Sequence, residues 1–284
     1  MRDHQGLQSD AVDIIGAGNE VDSTLQKRLQ RAGFRVKLFS PAQVDKLRRT
    51  SLVINAAGCA GSRELPAALA ACRYLANRGD QAILHLSSYR VFPGRARKRY
   101  YEDDEPQPKS EVGTQWLACE QALGNHRHST VLRLGWMVDR SDSALLGRIL
   151  RSLTSRQLVS LDDKALGSPV TLFDLGRVVT AMVQQLASGA PTAGIYHYGA
   201  ADSCTAMEFA GEVEERAQSF YEEGFSAGLQ ALPGAEAGSS VVLDCGRLRD
   251  VFGIQQRSWR QGLTRQVELW LERLAADHKG GSDT

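Results

Sequence analysis

The chain has 284 residues, long enough for one large domain or a domain with a lobe, and for a substantial buried core. Its 34 lysines and arginines nearly cancel 33 aspartates and glutamates, and no block of five like charges occurs. That balance excludes the electrostatic footprint of a nucleic-acid or membrane-surface binder.

Short apolar runs alternate with amphipathic helical stretches through the first two thirds, the pattern of a parallel sheet with helices on both faces. Residues 12–15 open as a strand, and residues 22–32 follow as a helix with Leu25, Leu29 and Ala32 on one face. Strands are expected at 34–39, 51–55, 81–86 and 130–134, with helices at 65–78 and 112–123 between the later ones. These units fit an α/β fold, a Rossmann-type doubly wound parallel sheet. Past residue 140 the rhythm changes to helices near 143–153, 172–187 and 205–218, a short strand at 196–198, a Gly- and Ala-rich loop at 222–238 and a final helix near 259–276. The expected organisation is therefore a polar, disordered N-terminus (1–10), a dinucleotide-binding core (11–140), a smaller C-terminal substrate lobe with some elements returning to the core (141–276) and a disordered tail (277–284).

The basic stretch Arg95-Ala96-Arg97-Lys98-Arg99 is followed at once by Glu102-Asp103-Asp104-Glu105, which reads as a self-neutralised solvated loop. Five cysteines (Cys59, Cys72, Cys119, Cys204, Cys245) are odd in number and lack CxxC spacing. They read as reduced thiols rather than a disulfide frame or a zinc site, and the six histidines offer no metal constellation. No signal peptide and no run of about 18 apolar residues is present, so a soluble cytoplasmic protein is expected.

Ile14-Ile15-Gly16-Ala17-Gly18-Asn19-Glu20-Val21-Asp22 lies between a strand and a helix, where a Rossmann fold places its phosphate-binding turn. In a GxxGxxG register the positions are Gly16, Asn19 and Asp22; in a GxGxxG register the third is Val21. A third glycine is absent in both. Glu20 or Asp22 would repel bound phosphates, or could cap the helix that begins there. The second strand ends Leu38-Phe39-Ser40, without the acid that grips the ribose of NAD, which favours NADP(H) over NAD(H).

Further segments, taken in order, resemble the dTDP-4-dehydrorhamnose reductase (RmlD-like) family of extended short-chain dehydrogenase/reductases. Asn55-Ala56-Ala57-Gly58 is similar to the family's turn against the cofactor, and Leu86-Ser87-Ser88-Tyr89-Arg90-Val91-Phe92 to the segment whose second hydroxyl residue, here Ser88, polarises a substrate carbonyl. Arg133 and Trp136 take the family's Arg-x-x-Trp strand end, Gly167-Ser168-Pro169 its substrate-lobe turn, and Gly194-Ile195-Tyr196-His197 its Gly-x-Tyr-His. The resemblance implies Gly16, Gly18, Asn19, Asn55, Ala56, Ala57 and Ser87 at a cofactor, Arg133, Trp136 and Pro169 at a substrate, and no metal; Arg133 could equally contact a phosphate or pair with an acid at its strand end.

The family's Tyr-x-x-x-Lys, which transfers the proton, falls on Val112 and Trp116, and no tyrosine in the chain has a lysine four residues on. Tyr89, Tyr100 and Tyr101 are the neighbouring phenols. The stretch from Asn55 to Ser87 is also shorter than the family's. The leading expectation is a catalytically degenerate relative, a pseudoenzyme that binds NADP(H) or a nucleotide-like ligand. It would work as a binding or regulatory module with a protein partner or as a homodimer, as the regulatory subunit of methionine adenosyltransferase uses this fold. The alternatives are an active NADPH-dependent reductase of a nucleotide sugar with a non-standard acid, and a scaffold whose closed cleft binds no cofactor.

Overall fold

Ala11-Val12-Asp13-Ile14-Ile15 has no exposed position, the mark of a strand covered on both faces. The computed structural model describes residues 10–49, 51–95, 98–139, 144–155, 158–220, 228–232 and 240–280, without the side chains of Thr154 and residues 274–280. The expected N-terminal disorder at 1–9, residues 96 and 97 of the basic loop, and the tail from 281 lie outside the described residues.

The first half runs β1 (Ala11–Ile15), α1 (Glu20–Arg31), β2 (Arg35–Phe39), β3 (Leu52–Asn55), α2 (Leu65–Leu75), β4 (Ile83–Ser88), β5 (Arg99–Tyr100), α3 (Glu111–Leu123) and β6 (Ser129–Leu134). Then come β7 (Trp136–Val138), α4 (Leu145–Ser155), β8 (Leu158–Leu161), β9 (Pro169–Thr171), α5 (Leu172–Ala187), β10 (Gly194–Tyr198), α6 (Ala206–Gln218), β11 (Gly228–Ala231), β12 (Val242–Leu243), α7 (Gly246–Phe252) and α8 (Leu263–Gly280).

Six strands form one parallel sheet in the order β10-β6-β4-β3-β1-β2. Successive side chains in a strand point to opposite faces, and the core divides accordingly. Val12, Ile14, Leu52, Ile54, Leu84 and Leu86 join the apolar face of α1 and α5, whereas Ile15, Val53 and Ile83 pack with α2 and α3. A third cluster, built largely from α4, α6 and α8, reaches back to Trp116, Tyr89 and Trp136. Elements past residue 140 contribute to both bodies, because α5 and β10 pack on the main sheet.

In sheet-strand numbering the order is 2-1-3-4-5-6, where the most familiar dinucleotide-binding order is 3-2-1-4-5-6. Between β2 and β3 the chain makes a helical turn, Pro41–Lys46, and β2 is left as a half-exposed edge. The order still reverses beside β1, so a crevice opens at the carboxyl ends of β1 and β3.

The helix limits follow local chemistry. Asn19 caps α1 through a capping box with Asp22, Ser110 Oγ accepts from Gly113 N at the start of α3, and Thr171 caps α5, whose observed limits match the expected 172–187. Three small parallel pairs, β7 with β9, β8 with β11 and β12 with β5, were not expected. β11 interrupts the loop expected at 222–238, whose other residues apart from 232 lie outside the described set. The final helix runs to Gly280, past the tail boundary expected at 277. Among the described residues no helix is long and apolar enough to cross a membrane.

Candidate functional site

At the β1–α1 turn the backbone does what the glycines suggest, and a side chain receives its amides. Gly18 adopts φ +82°, open to glycine at little strain, and Gly16 N donates to Phe39 O at 2.9 Å. Asp22 Oδ2 accepts from Gly18 N at 2.7 Å and from Asn19 N at 3.2 Å, while Asn19 Oδ1 accepts from Asp22 N at 3.0 Å. The carboxyl group presses on the bare Cα of Gly16, where a Cβ would sit 2.2 Å from Asp22 Cγ. Asp22 is 2% exposed and, among the described residues, its Oδ1 has no hydrogen-bond partner. Burial raises its pKa, against the amides of Gly18 and Asn19 that pull it down. A recess of about 460 Å³ beside the turn is lined by Gly16, Gly18, Asp22, Phe39, Ser40 and Glu64 among others, and among the described residues no basic side chain lines it.

The end of β3 supplies the next expected cofactor residues. Asn55, Ala56 and Ala57 are fully buried, and Asn55 turns inward, donating from Nδ2 to Cys72 Sγ at 3.1 Å and accepting at Oδ1 from Ala57 N. Gly58 meets α3: a Cβ there would stand 2.4 Å from the Trp116 ring, so the indole rests directly on the glycine. Trp116 is 6% exposed and, with the partly buried Val112, lines a cleft of about 420 Å³. The two apolar residues thus sit on the cleft wall at the positions that the family resemblance gives to Tyr and Lys.

Ser87, Ser88 and Tyr89 line the same cleft at the end of β4. Ser88 Oγ accepts from Arg90 N at 3.3 Å. Of the three neighbouring phenols, Tyr89 alone borders the cleft, and the Arg90 guanidinium stands 5.4 Å from its ring centroid. Tyr100 is buried, stacked on Phe92 at 4.5 Å, and Tyr101 is exposed. Trp136, also on the cleft, packs on Gly167, and β7 pairs it with Pro169.

Arg133, expected at a substrate, faces away from the cleft into a polar network. Its guanidinium binds Glu120 through Nε at 3.0 Å and Nη2 at 2.7 Å, and Ser87 Oγ donates to the same carboxylate at 2.5 Å. Arg133 is 1% exposed, with Nη1 3.5 Å from His197 Nε2, and His197 N donates to Glu102 Oε1 at 3.2 Å. Burial first, and then the Arg133 charge, push the His197 pKa down to about 3. An acid partner for Arg133 was one of the two expected readings, but its identity as Glu120 was not legible, because the pair lies thirteen positions apart across a helix-to-strand crossover.

A second gathering was also missed. Cys72 from α2, His85 from β4 and Cys119 from α3 bring potential ligand atoms within 4.8 Å of one another in the core, although no spacing motif links them. Cys72 Sγ lies 3.9 Å from His85 Nδ1, and burial drives the His85 pKa down to about 4. All three side chains are buried and among apolar neighbours.

The family described as RmlD substrate binding domain matches residues 63–271. The chain belongs to this family. Within it, the spore coat polysaccharide biosynthesis protein SpsK of Bacillus subtilis is 25% identical over 90% of the chain and 96% of its own length. A dTDP-4-dehydrorhamnose reductase from Bacillus anthracis, solved in complex with NADP, superposes with a TM-score of 0.75 at 20% identity, covering 90% of this chain and 97% of that one. MoeE5, solved with UDP-glucuronic acid and NAD, superposes with a TM-score of 0.73 at 19% identity, covering 93% and 99%. The fold is therefore that of the RmlD-type Rossmann reductases.

Structural neighbours of this RmlD-family chain thus carry a nicotinamide dinucleotide. In this chain the amides of Gly18 and Asn19 both donate to the Asp22 carboxylate.

Proposed function

We propose that this chain is a catalytically degenerate member of the RmlD family that holds a nucleotide-sugar-like ligand in the cleft beside Trp116 and serves as a binding or regulatory module. The observation that carries the reading is the Trp116 indole seated on Gly58, with Val112 beside it on the cleft wall. Neither side chain carries a titratable proton, so the general-acid step that the family's Tyr and Lys perform has no donor there. An aromatic wall suits the stacking of a base or sugar face, and Arg90, Arg148, Ser62 and Trp136 supply polar and aromatic contacts around it. In this reading residues 11–140 form the ligand-holding core, and residues 141–276 close the cleft from the other side. The UDP-glucuronic acid of MoeE5 supports a nucleotide sugar as the class of ligand.

One observation favours the second reading, an active reductase: Ser88 and Tyr89 both border the cleft, so a carbonyl-polarising hydroxyl and a phenol are adjacent. Calorimetry with UDP-glucuronic acid and a dTDP-sugar, run beside an NADPH-oxidation assay on a dTDP-4-keto sugar, separates the two. The binding-module reading expects heat of binding and background oxidation. Turnover near ~10 per second would establish the reductase instead.

A further inference from the structure

The backbone amides at a Rossmann turn form an anion site because they are unpaired at a helix N-terminus and carry the positive end of its dipole. Here those amides are not unpaired. Gly18 N and Asn19 N both donate to Asp22 Oδ2, a carboxylate oxygen standing where a phosphate oxygen would be held. We propose that Asp22 is a built-in phosphate mimic that occupies the dinucleotide-binding turn and keeps the pyrophosphate of a dinucleotide out of that turn.

Three observations make this more than a helix cap. Capping α1 already has a residue of its own, since Asn19 Oδ1 accepts from Asp22 N, and the return contact of a capping box needs only Asn19 N. The bond to Gly18 N, the shorter of the two at 2.7 Å, lies outside that exchange and inside the glycine turn. Second, the carboxyl group fills the space over Gly16 that the absence of a side chain opens, leaving no room there for an incoming phosphate. Third, among the described residues the group is buried without a cation: Oδ1 is unpartnered, and the adjoining recess adds Glu64 but neither lysine nor arginine. A buried carboxylate kept at such a cost to solvation points to a role other than stability.

The inference goes beyond the proposed function, because it concerns the turn rather than the cleft at Trp116. A diphosphate binds at this turn only by displacing Asp22, so removing the carboxylate frees the amides. The test titrates the wild-type chain, D22G and D22N with inorganic pyrophosphate, ADP and NADPH at neutral pH and fixed salt. D22G restores a glycine at the third position of the GxxGxxG register. D22N removes the charge at constant shape and carries the comparison if D22G loses its fold, which thermal unfolding reports.

ADP is the deciding probe, since it fills the adenosine half without reaching Trp116. The expected result is at least a tenfold gain in ADP affinity for D22G, with a smaller gain for D22N. A gain for ADP without a matching gain for NADPH also supports the proposal, the remaining block then lying at Trp116. Wild-type affinity for ADP equal to that of folded D22G, or no gain in either folded variant, would overturn it. Reductase turnover by the wild-type chain would defeat the binding-module reading while leaving the ADP comparison unaffected.

Discussion

Two buried carboxylates, Glu120 on α3 and Asp22 on α1, are treated in opposite ways. Glu120, 6% exposed, meets a bidentate guanidinium and a serine hydroxyl, so its charge is neutralised and its oxygens are occupied. Asp22, 2% exposed, meets backbone amides only, with one oxygen unpaired. The same chemical group is structural in one place and, by the inference above, a ligand surrogate in the other. Burial alone does not distinguish them; the partner does. Asp13 belongs with Glu120, since it is buried mid-strand in β1 yet bonded to Arg48 Nε at 2.8 Å and to Ser51 Oγ at 2.8 Å.

The largest expected effect breaks the structural side of this contrast. R133M strands the Glu120 carboxylate and costs about 3–5 kcal/mol in urea unfolding, much of it recovered by adding E120L. A loss near zero would mean that Glu120 is not the neutralised partner described.

Next is the pH dependence of the histidines flanking that network. His85 and His197 have folded pKa values depressed to about 4 and about 3, from the usual 6.5. Between these values the unfolded chain binds more protons than the folded one. Their stabilisation is therefore full above pH 6.5 and is lost as pH falls toward 4. For His85 the loss is about 3 kcal/mol, and H85L should flatten that part of the stability profile measured by urea titrations from pH 7 to pH 4.5.

Asp22 works in the opposite direction. Its folded pKa is raised by burial, so its favourable contribution exists below the ordinary carboxylate value of 3.8 and is lost as pH rises through the folded pKa. D22N should accordingly be more stable than the wild-type chain at pH 7 and gain nothing below pH 3.8, by thermal unfolding across that range. A destabilised D22N at neutral pH would place Asp22 with Glu120 after all.

The smallest expected effect is none. V112Y with W116K, which restores the family's pair, leaves NADPH oxidation at background while Asp22 holds the turn. Addition of D22G should raise it above background, and activity in the double variant alone would show that only the pair was missing.

Much of the scaffold was legible in the sequence. The β-type runs from residues 12–15 to 130–134 and the helical periodicity of 172–187 report local preference and one-sided burial, which neighbouring residues carry among themselves. The pairs β7 with β9 and β12 with β5 were not legible, because two or three residues show no periodicity and their partners lie far along the chain. At the site, the substitutions at Asp22, Val112 and Trp116 were visible as departures from a pattern. For Arg133 the sequence left a phosphate contact and an acid at the strand end equally open, and the structure pairs it with Glu120, which sits on a helix that contains no recognisable motif for it.

The sequence by itself determined the alternation of strands and helices, the missing third glycine and the absent Tyr and Lys, all properties of residue type and spacing. Tertiary structure alone decided that Trp116 lies on Gly58, that Arg133 turns from the cleft to Glu120, and that an Asp22 oxygen comes within 2.7 Å of Gly18 N. Each is a contact whose energy depends on ångström-scale approach and on what water is excluded, and neither is encoded in spacing along the chain.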